Sequence, residues 1–321
     1  MALNWRYVRF LDQQGMIRPG AKLLDIGSSN LYDAPADEVY ALLRKHTPGT
    51  PAAEHRALAD RLAAGSGKGA DGVALNQSWV GELFEACGME YVAFDIAPMY
   101  KTELLDFNHQ SLPEQHRGRY DVILNFGTTE HVLNQFNSFR IIHEAAKPGT
   151  LTWHQLPSAG HVDHCYYSYH PRFFFDLAGY NRYEVVNFWF TAGGGSKRFC
   201  TVGSYASHFP VLGRFLDDPA SRPEPSDDAV EEDVCVNIIY RKVHDQPFLG
   251  ALEPSTAAVK VAADVMSRYA HSQPAEPAPA PAVGASLTPA PRPPLVRAMR
   301  RLLRPVLKPI RDALRRKPAA R

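Results

Sequence analysis

Short apolar runs bounded by turn residues punctuate the chain at residues 21–26 (AKLLDI), 91–96 (YVAFDI), 120–126 (YDVILNF), 150–156 (TLTWHQL), 183–190 (YEVVNFWF) and 234–240 (VCVNIIY). A shorter run lies at 102–105. Unbroken apolarity over so few residues is the pattern of strands buried on both faces of a parallel sheet. Helical spacing fills the intervals: 78–87 with Trp79, Leu83, Phe84 and Ala86 inward, 137–146, and 171–177, where Pro171 suits a first helical position. Residues 3–14 place Leu3, Tyr7, Phe10 and Leu11 on one helical face before Pro19-Gly20 interrupts. Strands alternating with helices predict βαβ units in an α/β fold with an open parallel sheet. The last two runs lie 43 residues apart without a strong helical pattern. That interval predicts an antiparallel hairpin at one edge with an elaborated connection.

Two segments depart from this alternation. Residues 32–72 intrude between the first strand and its helix, carry two short helical patterns and end in GSGKGADG, a flexible composition. Eight of the 21 residues in 274–294 are proline, which cannot pack a core and reads as a disordered, extended linker. The chain therefore divides into a folded domain at 1–271, closed by a helical pattern at 256–270, a linker at 272–294 and a basic amphipathic tail at 295–321.

Charge sharpens that division. The whole chain has 35 Lys plus Arg against 34 Asp plus Glu, a net charge of +1, but residues 292–321 hold 11 of the bases and one acid. The remaining 291 residues are acidic, which argues against a phosphate-gripping nucleic-acid binder. In the tail, Leu295, Met299, Leu302, Leu303, Val306, Leu307, Ile310 and Leu314 recur at helical spacing, with Pro305 and Pro309 as kinks. A basic amphipathic segment on a tether reads as a peripheral anchor to an anionic membrane surface. A weak protein or nucleic-acid contact, or no specific partner, are the alternatives. The four cysteines form no CxxC pair, so neither a zinc ribbon nor a thioredoxin-like site is indicated. No run of 18 apolar residues and no signal-peptide pattern is present, so the expected location is cytoplasmic.

The chemistry concentrates at the carboxyl ends of the strands. Asp25-Ile26-Gly27-Ser28-Ser29 puts one glycine and two small residues after the first strand, where backbone can approach a ligand closely. A dinucleotide site would want GxGxxG running straight into a helix, and this chain has only Gly27 there. LLDIGSSN resembles the first motif of class I S-adenosylmethionine-dependent methyltransferases of the small-molecule type. Asp95 and Ile96 in AFDI resemble that family's acidic position after the second strand, and Asp106-Phe107 its adenine-contacting pair. YDVILNFGTTEHV is similar to the fourth-strand motif, and HCYYSYHPRFFFDLAGY to the segment after the fifth. The resemblance covers residues 22–190 and implies a doubly wound, mostly parallel seven-stranded sheet (Rossmann-like) with an antiparallel edge hairpin.

It implies S-adenosyl-L-methionine as cofactor, held by Asp25, Gly27, Ser28, Asp95, Ile96, Asp106, Phe107, Asn125 and Gly127. It also implies methyl transfer to a small-molecule, sugar or lipid-linked acceptor, with no specific nucleic-acid partner. A carboxylate at Asp95 suits two ribose hydroxyls, and Asp106 with the Phe107 N–H suits an adenine edge. His164, ahead of the aromatic run, and His131 are the candidate catalytic residues. The step of 68 positions from Gly27 to Asp95 exceeds the family's interval, and the excess is the 32–72 insertion, a lid or a bulky decoration. Some relatives bind Mg²⁺ through an acid three positions before the Glu-His pair, which here is Gly127, so no metal is expected. His154, His161, His164 and His170 cluster with Asp163 and Cys165, a zinc-like set for which catalysis or packing is the preferred reading. An aromatic rim of Trp153, Tyr166, Tyr167, Tyr169 and Trp189 would face the acceptor. A non-catalytic scaffold tethered to a membrane by the tail is the alternative function, and a nicotinamide-dependent oxidoreductase a third.

Overall fold

A computed structural model of the chain describes residues 2–161, 164–192, 197–198 and 233–251. In chain order it contains β1 (Ala2–Asn4), α1 (Trp5–Gln13), β2 (Lys22–Ile26), β3 (Asn30–Tyr32), α2 (Ala36–His46), α3 (Ala52–Gly65), α4 (Val80–Ala86), β4 (Glu90–Asp95) and β5 (Thr102–Leu104). There follow β6 (Tyr120–Phe126), α5 (Gln135–Ala145), β7 (Ala146–Ala159), α6 (Pro171–Tyr180), β8 (Glu184–Ala192), β9 (Lys197–Arg198) and β10 (Val234–Arg241). The helical pattern at 256–270, the linker and the tail lie outside the described residues. Among the described residues, no helix is long and apolar enough to cross a membrane.

All seven apolar runs become strands of one sheet, ordered β5-β4-β2-β6-β7-β10-β8-β9, in which the two-residue β9 is an unpredicted addition. Strands β5, β4, β2, β6 and β7 are parallel neighbours. The last strand, β10, inserts between β7 and β8 and runs antiparallel to both. The chain moves outward one way from β2 through β4 to β5, then the other way from β6 to β7. Between β2 and β6 lies the switch in direction where ligands of open α/β sheets bind.

Period-two alternation sorts the sheet's side chains onto two faces. Leu24, Ile26, Phe94 and Ile123 pack under Ile141 and Ile142 of α5. On the other face Leu23, Ala93, Val122 and Leu124 meet Val8 and Leu11 of α1 and Val80, Leu83 and Phe84 of α4. Leu83 and Phe84 are fully buried, each contributing about 1.5–3 kcal/mol by removal from water. The helix start is later than its pattern suggests: α1 begins at Trp5, because Asn4 accepts from the Arg6 N–H as N-cap, and Leu3 belongs to β1, which pairs with β3 in a small parallel ribbon. In α4, Trp79 is the half-buried residue preceding the first turn rather than an inward helical position.

The insertion is two helices, α2 and α3, fixed to the body by polar contacts. Asp12 of α1 accepts from Lys45 Nζ at 2.8 Å and pairs with His46 at 2.7 Å. Beyond α3, the Ser66 carbonyl accepts from the Asp33 N–H and its hydroxyl from the Ala34 N–H, both at 3.0 Å. These bonds hold the end of α3 beside β3, at the carboxyl edge of the sheet.

Candidate active site

The loops after β2 and β6 form a pair. Gly27 and Gly127 both sit at positive φ (87° and 77°), a conformation costly for any residue with a Cβ. The Gly27 N–H donates to the Phe94 carbonyl at 2.7 Å, and the Thr128 hydroxyl donates to the Ile26 carbonyl, tying the two loops together. Beneath them Asp25 is wholly buried. Its Oδ2 accepts from the Ser29 N–H at 3.0 Å and the Tyr91 hydroxyl at 2.8 Å, while burial pushes its carboxyl up to about 7. Asp25 thus shapes the glycine loop from below and presents no exposed surface to a ligand. Ser28 is equally buried and donates to the Tyr100 carbonyl at 3.1 Å.

Farther along the same edge the carboxylates are only half-buried. Asp95 Oδ1 accepts from the backbone N–H groups of Ile96 (2.6 Å) and Ala97 (3.2 Å), and the Ile96 side chain is 74% exposed. Asp106 accepts from the Asn108 N–H at 2.8 Å and pairs with His109 at 2.9 Å, contacts that hold its carboxyl below the usual range, His109 first. The Phe107 ring is buried and its carbonyl accepts from Asn137 Nδ2 at 2.7 Å.

On the other side of the switch, a cleft of about 740 Å³ opens between the insertion and the ends of β6, β7, β8 and β10. Tyr32, Asp33 and residues 66–68 supply one wall, Asn4 and Tyr7 another, and Phe126, Gly127, Glu130, His131, His161 and His164 a third. Asn125 lies under this wall, fully buried, with its Nδ2 3.0 Å from both Thr129 Oγ1 and His154 Nδ1. The histidine cluster divides. His154 is buried among Phe139, Phe174 and Tyr240, and desolvation drives its imidazole down to about 3. His170 caps α6 by accepting from the Arg172 N–H. His161 and His164 face the cleft, and Asp163 lies outside the described residues.

The expected aromatic rim is corrected by the structure. Trp153, Trp189 and Tyr169 are buried, with Trp153 ringed by Tyr7, Phe10, Phe126 and Trp189 at centroid distances of 4.8–5.7 Å. The two indoles pack against Phe10 of α1 and the Tyr169 ring against Phe139 of α5 and Phe173 and Phe174 of α6, so the aromatic residues lining the cleft are Tyr7, Tyr32 and Phe126.

The residue that the sequence pattern passed over is Glu130. It sits with His131 on a single helical turn after β6, is fully buried, and both its carboxylate oxygens lack a hydrogen-bond partner among the described residues. Desolvation pushes its carboxyl up to about 7. His164 Nε2 stands 3.8 Å from Glu130 Oε1, and the His131 and His164 rings meet edge to face at 4.9 Å. The backbone explains the convergence: the Tyr166 and Tyr167 N–H groups both donate to the Glu130 carbonyl, folding the loop after β7 onto that turn.

Residues 41–189, from α2 to the middle of β8, match the family model described as a methyltransferase domain. The chain carries a methyltransferase domain. No curated protein matches this chain. Among solved structures, the methyltransferase domain is similar to the Burkholderia thailandensis 1,6-didemethyltoxoflavin-N1-methyltransferase, at 12% identity over 74% of this chain and 76% of that one, with a TM-score of 0.29. It is also similar to the 16S rRNA (adenine(1408)-N(1))-methyltransferase from Catenulisporales acidiphilia, at 12% identity over 73% and 94%, with a TM-score of 0.31.

Proposed function

We propose that the chain transfers a methyl group from S-adenosyl-L-methionine to a small, polar acceptor bound in the cleft between the insertion and Gly127. The observation that carries this reading is the union of one open carboxylate edge with one enclosed cleft at the switch between β2 and β6. The edge suits the donor. Asp95 Oδ1 is already held by two backbone N–H groups, so Oδ2 is the oxygen to meet the ribose hydroxyls. Asp106 is kept ionised as an acceptor for the adenine amino group. Gly27 and Gly127 leave room for the methionine half.

The sulfonium supplies an already activated methyl, so the protein's task is alignment and exclusion of water. His164 and His131 stand on the cleft wall and can take a proton from the acceptor. Insertion residues Tyr32, Asp33 and Lys68 face them, and the insertion serves as the cover over the acceptor. The basic segment 295–321, outside the described residues, holds the enzyme at an anionic membrane surface and biases the acceptor toward membrane-borne glycan or lipid precursors.

Calorimetric titration with S-adenosylmethionine tests the donor site: binding by wild type and its weakening in Asp95→Ala are expected, and undiminished binding by the variant would sink the assignment. Co-sedimentation with anionic vesicles tests the tail, and equal pelleting of the full chain and of one ending at His271 would rule the anchor out.

A further inference from the structure

We infer that Glu130, His131 and His164 form a binding site for a divalent transition-metal ion, with zinc the fitting probe, whose open positions face the acceptor. Each offers one ligand atom, and the three atoms lie within 4.8 Å of one another. Metal–ligand distances of about 2.0–2.2 Å require these atoms to close by roughly 1 Å, a side-chain adjustment. The second observation is independent of that spacing. Glu130 is fully buried and unpartnered at both oxygens, and it lines the cleft. An ionised carboxylate in that position is costly without a counter-charge, and neither Lys nor Arg pairs with it among the described residues. A dication between Glu130 and the two imidazoles supplies the missing charge.

Two nitrogens and one oxygen select a borderline ion such as zinc over magnesium, which prefers oxygen alone. Gly127 offers no side-chain ligand, and the third ligand here, His164, comes from the loop after β7. That loop is anchored to the Glu130 carbonyl by the Tyr166 and Tyr167 N–H groups, so two separate segments are held in register. Three protein ligands leave coordination positions open to the cleft, as in catalytic rather than structural sites.

The use of the ion rests on the methyl-transfer reading. With the ion bound both imidazoles serve as ligands in place of the base role, and an acceptor hydroxyl on the ion loses its proton to solvent near neutral pH. The oxygen then forms a bond to the methyl carbon as the carbon–sulfur bond breaks, and the electron pair leaves on sulfur.

The test uses the full chain stripped with a chelator and titrated with zinc, and with cobalt(II) for its visible absorption bands. One equivalent bound at micromolar affinity or tighter is expected, weakened at least 100-fold in Glu130→Gln and in the double variant His131→Ala/His164→Ala, and unchanged in His170→Asn. The double variant alters two exposed side chains, so it decides the matter even if Glu130→Gln fails to fold. No saturable binding by wild type, or equal binding by the double variant, overturns the site. S-adenosylmethionine affinity measured on the same samples separates the two readings: its absence would fell the donor assignment and leave the metal result standing.

Discussion

Two buried carboxylates stand at the ends of adjacent strands, Asp25 on β2 and Glu130 just past β6, and burial pushes both up to about 7. Their surroundings are opposite. Asp25 Oδ2 accepts from Ser29 and Tyr91 within 3.0 Å, so the loop closes over a group bonded at one oxygen, with only Oδ1 lacking a partner among the described residues. Glu130 has no donor at either oxygen among the described residues and lines the cleft, with two histidines beside it. Equal burial and an equal direction of shift therefore do not imply an equal role. Partners decide: a buried acid with internal donors builds structure, and one without them waits for something from outside.

The largest effect should come from breaking the unpartnered side. Glu130→Gln is expected to lower turnover roughly 10²–10³-fold while S-adenosylmethionine affinity stays within about twofold, read by steady-state kinetics and calorimetry. A parallel loss of donor affinity would mean that Glu130 belongs to the same structural unit as Asp25. Next, Asp95→Ala removes charge-assisted hydrogen bonds worth about 1.5–3 kcal/mol and should weaken donor binding about 10- to 100-fold without moving the melting temperature by more than a degree or two.

The Asp25 side should respond in stability rather than chemistry. Asp25 has its folded value raised above the ordinary 3.8, so its contribution is fully present below pH 4 and is lost as pH rises toward 7. Between those limits Asp25→Asn should gain on wild type by about 1.4 kcal/mol per pH unit, measured by denaturant unfolding at pH 5 and pH 7. A pH-independent difference would show that Asp25 is ionised in the fold. The smallest effect is expected of Gly27→Ala, a loss of about 1–2 kcal/mol, because alanine must hold the 87° φ of that turn.

Most of the sheet was legible because its strands are buried on both faces, and that burial writes an unbroken apolar run. All seven runs pair as expected, and the two helices of the insertion appear where their patterns lie. The short pieces escaped for a physical reason. β1, β3 and β9 have two or three residues each, too few for a period to show. Leu3 matched a helical face by spacing, but the Asn4 cap begins the helix after it. The places of Asp95 and Asp106 at the edge of the sheet were readable because Asp95 ends β4 and Asp106 stands two residues past β5. Glu130 was not, since TTEHV reads as a polar turn. Its burial comes from distant chain, the Tyr166 and Tyr167 amides that bring the second loop down upon it. His154 and Trp153 erred the other way: residues near a ligand edge in sequence whose rings point into the core.

The placement of β10 has a consequence for how the chain is made. β7 and β8 do not touch each other as strands, for each pairs along its length with β10, which arrives more than forty residues after β8 begins its own run. During synthesis the five parallel strands can close around α4 and α5 as they emerge, while β7 and β8 hold open an unpaired seam of amides and carbonyls. Only when residues 234–241 have left the ribosome does that seam fill. A stall or nick just upstream would leave two adhesive edges exposed, making the last strand the element that decides between a folded chain and an aggregating one.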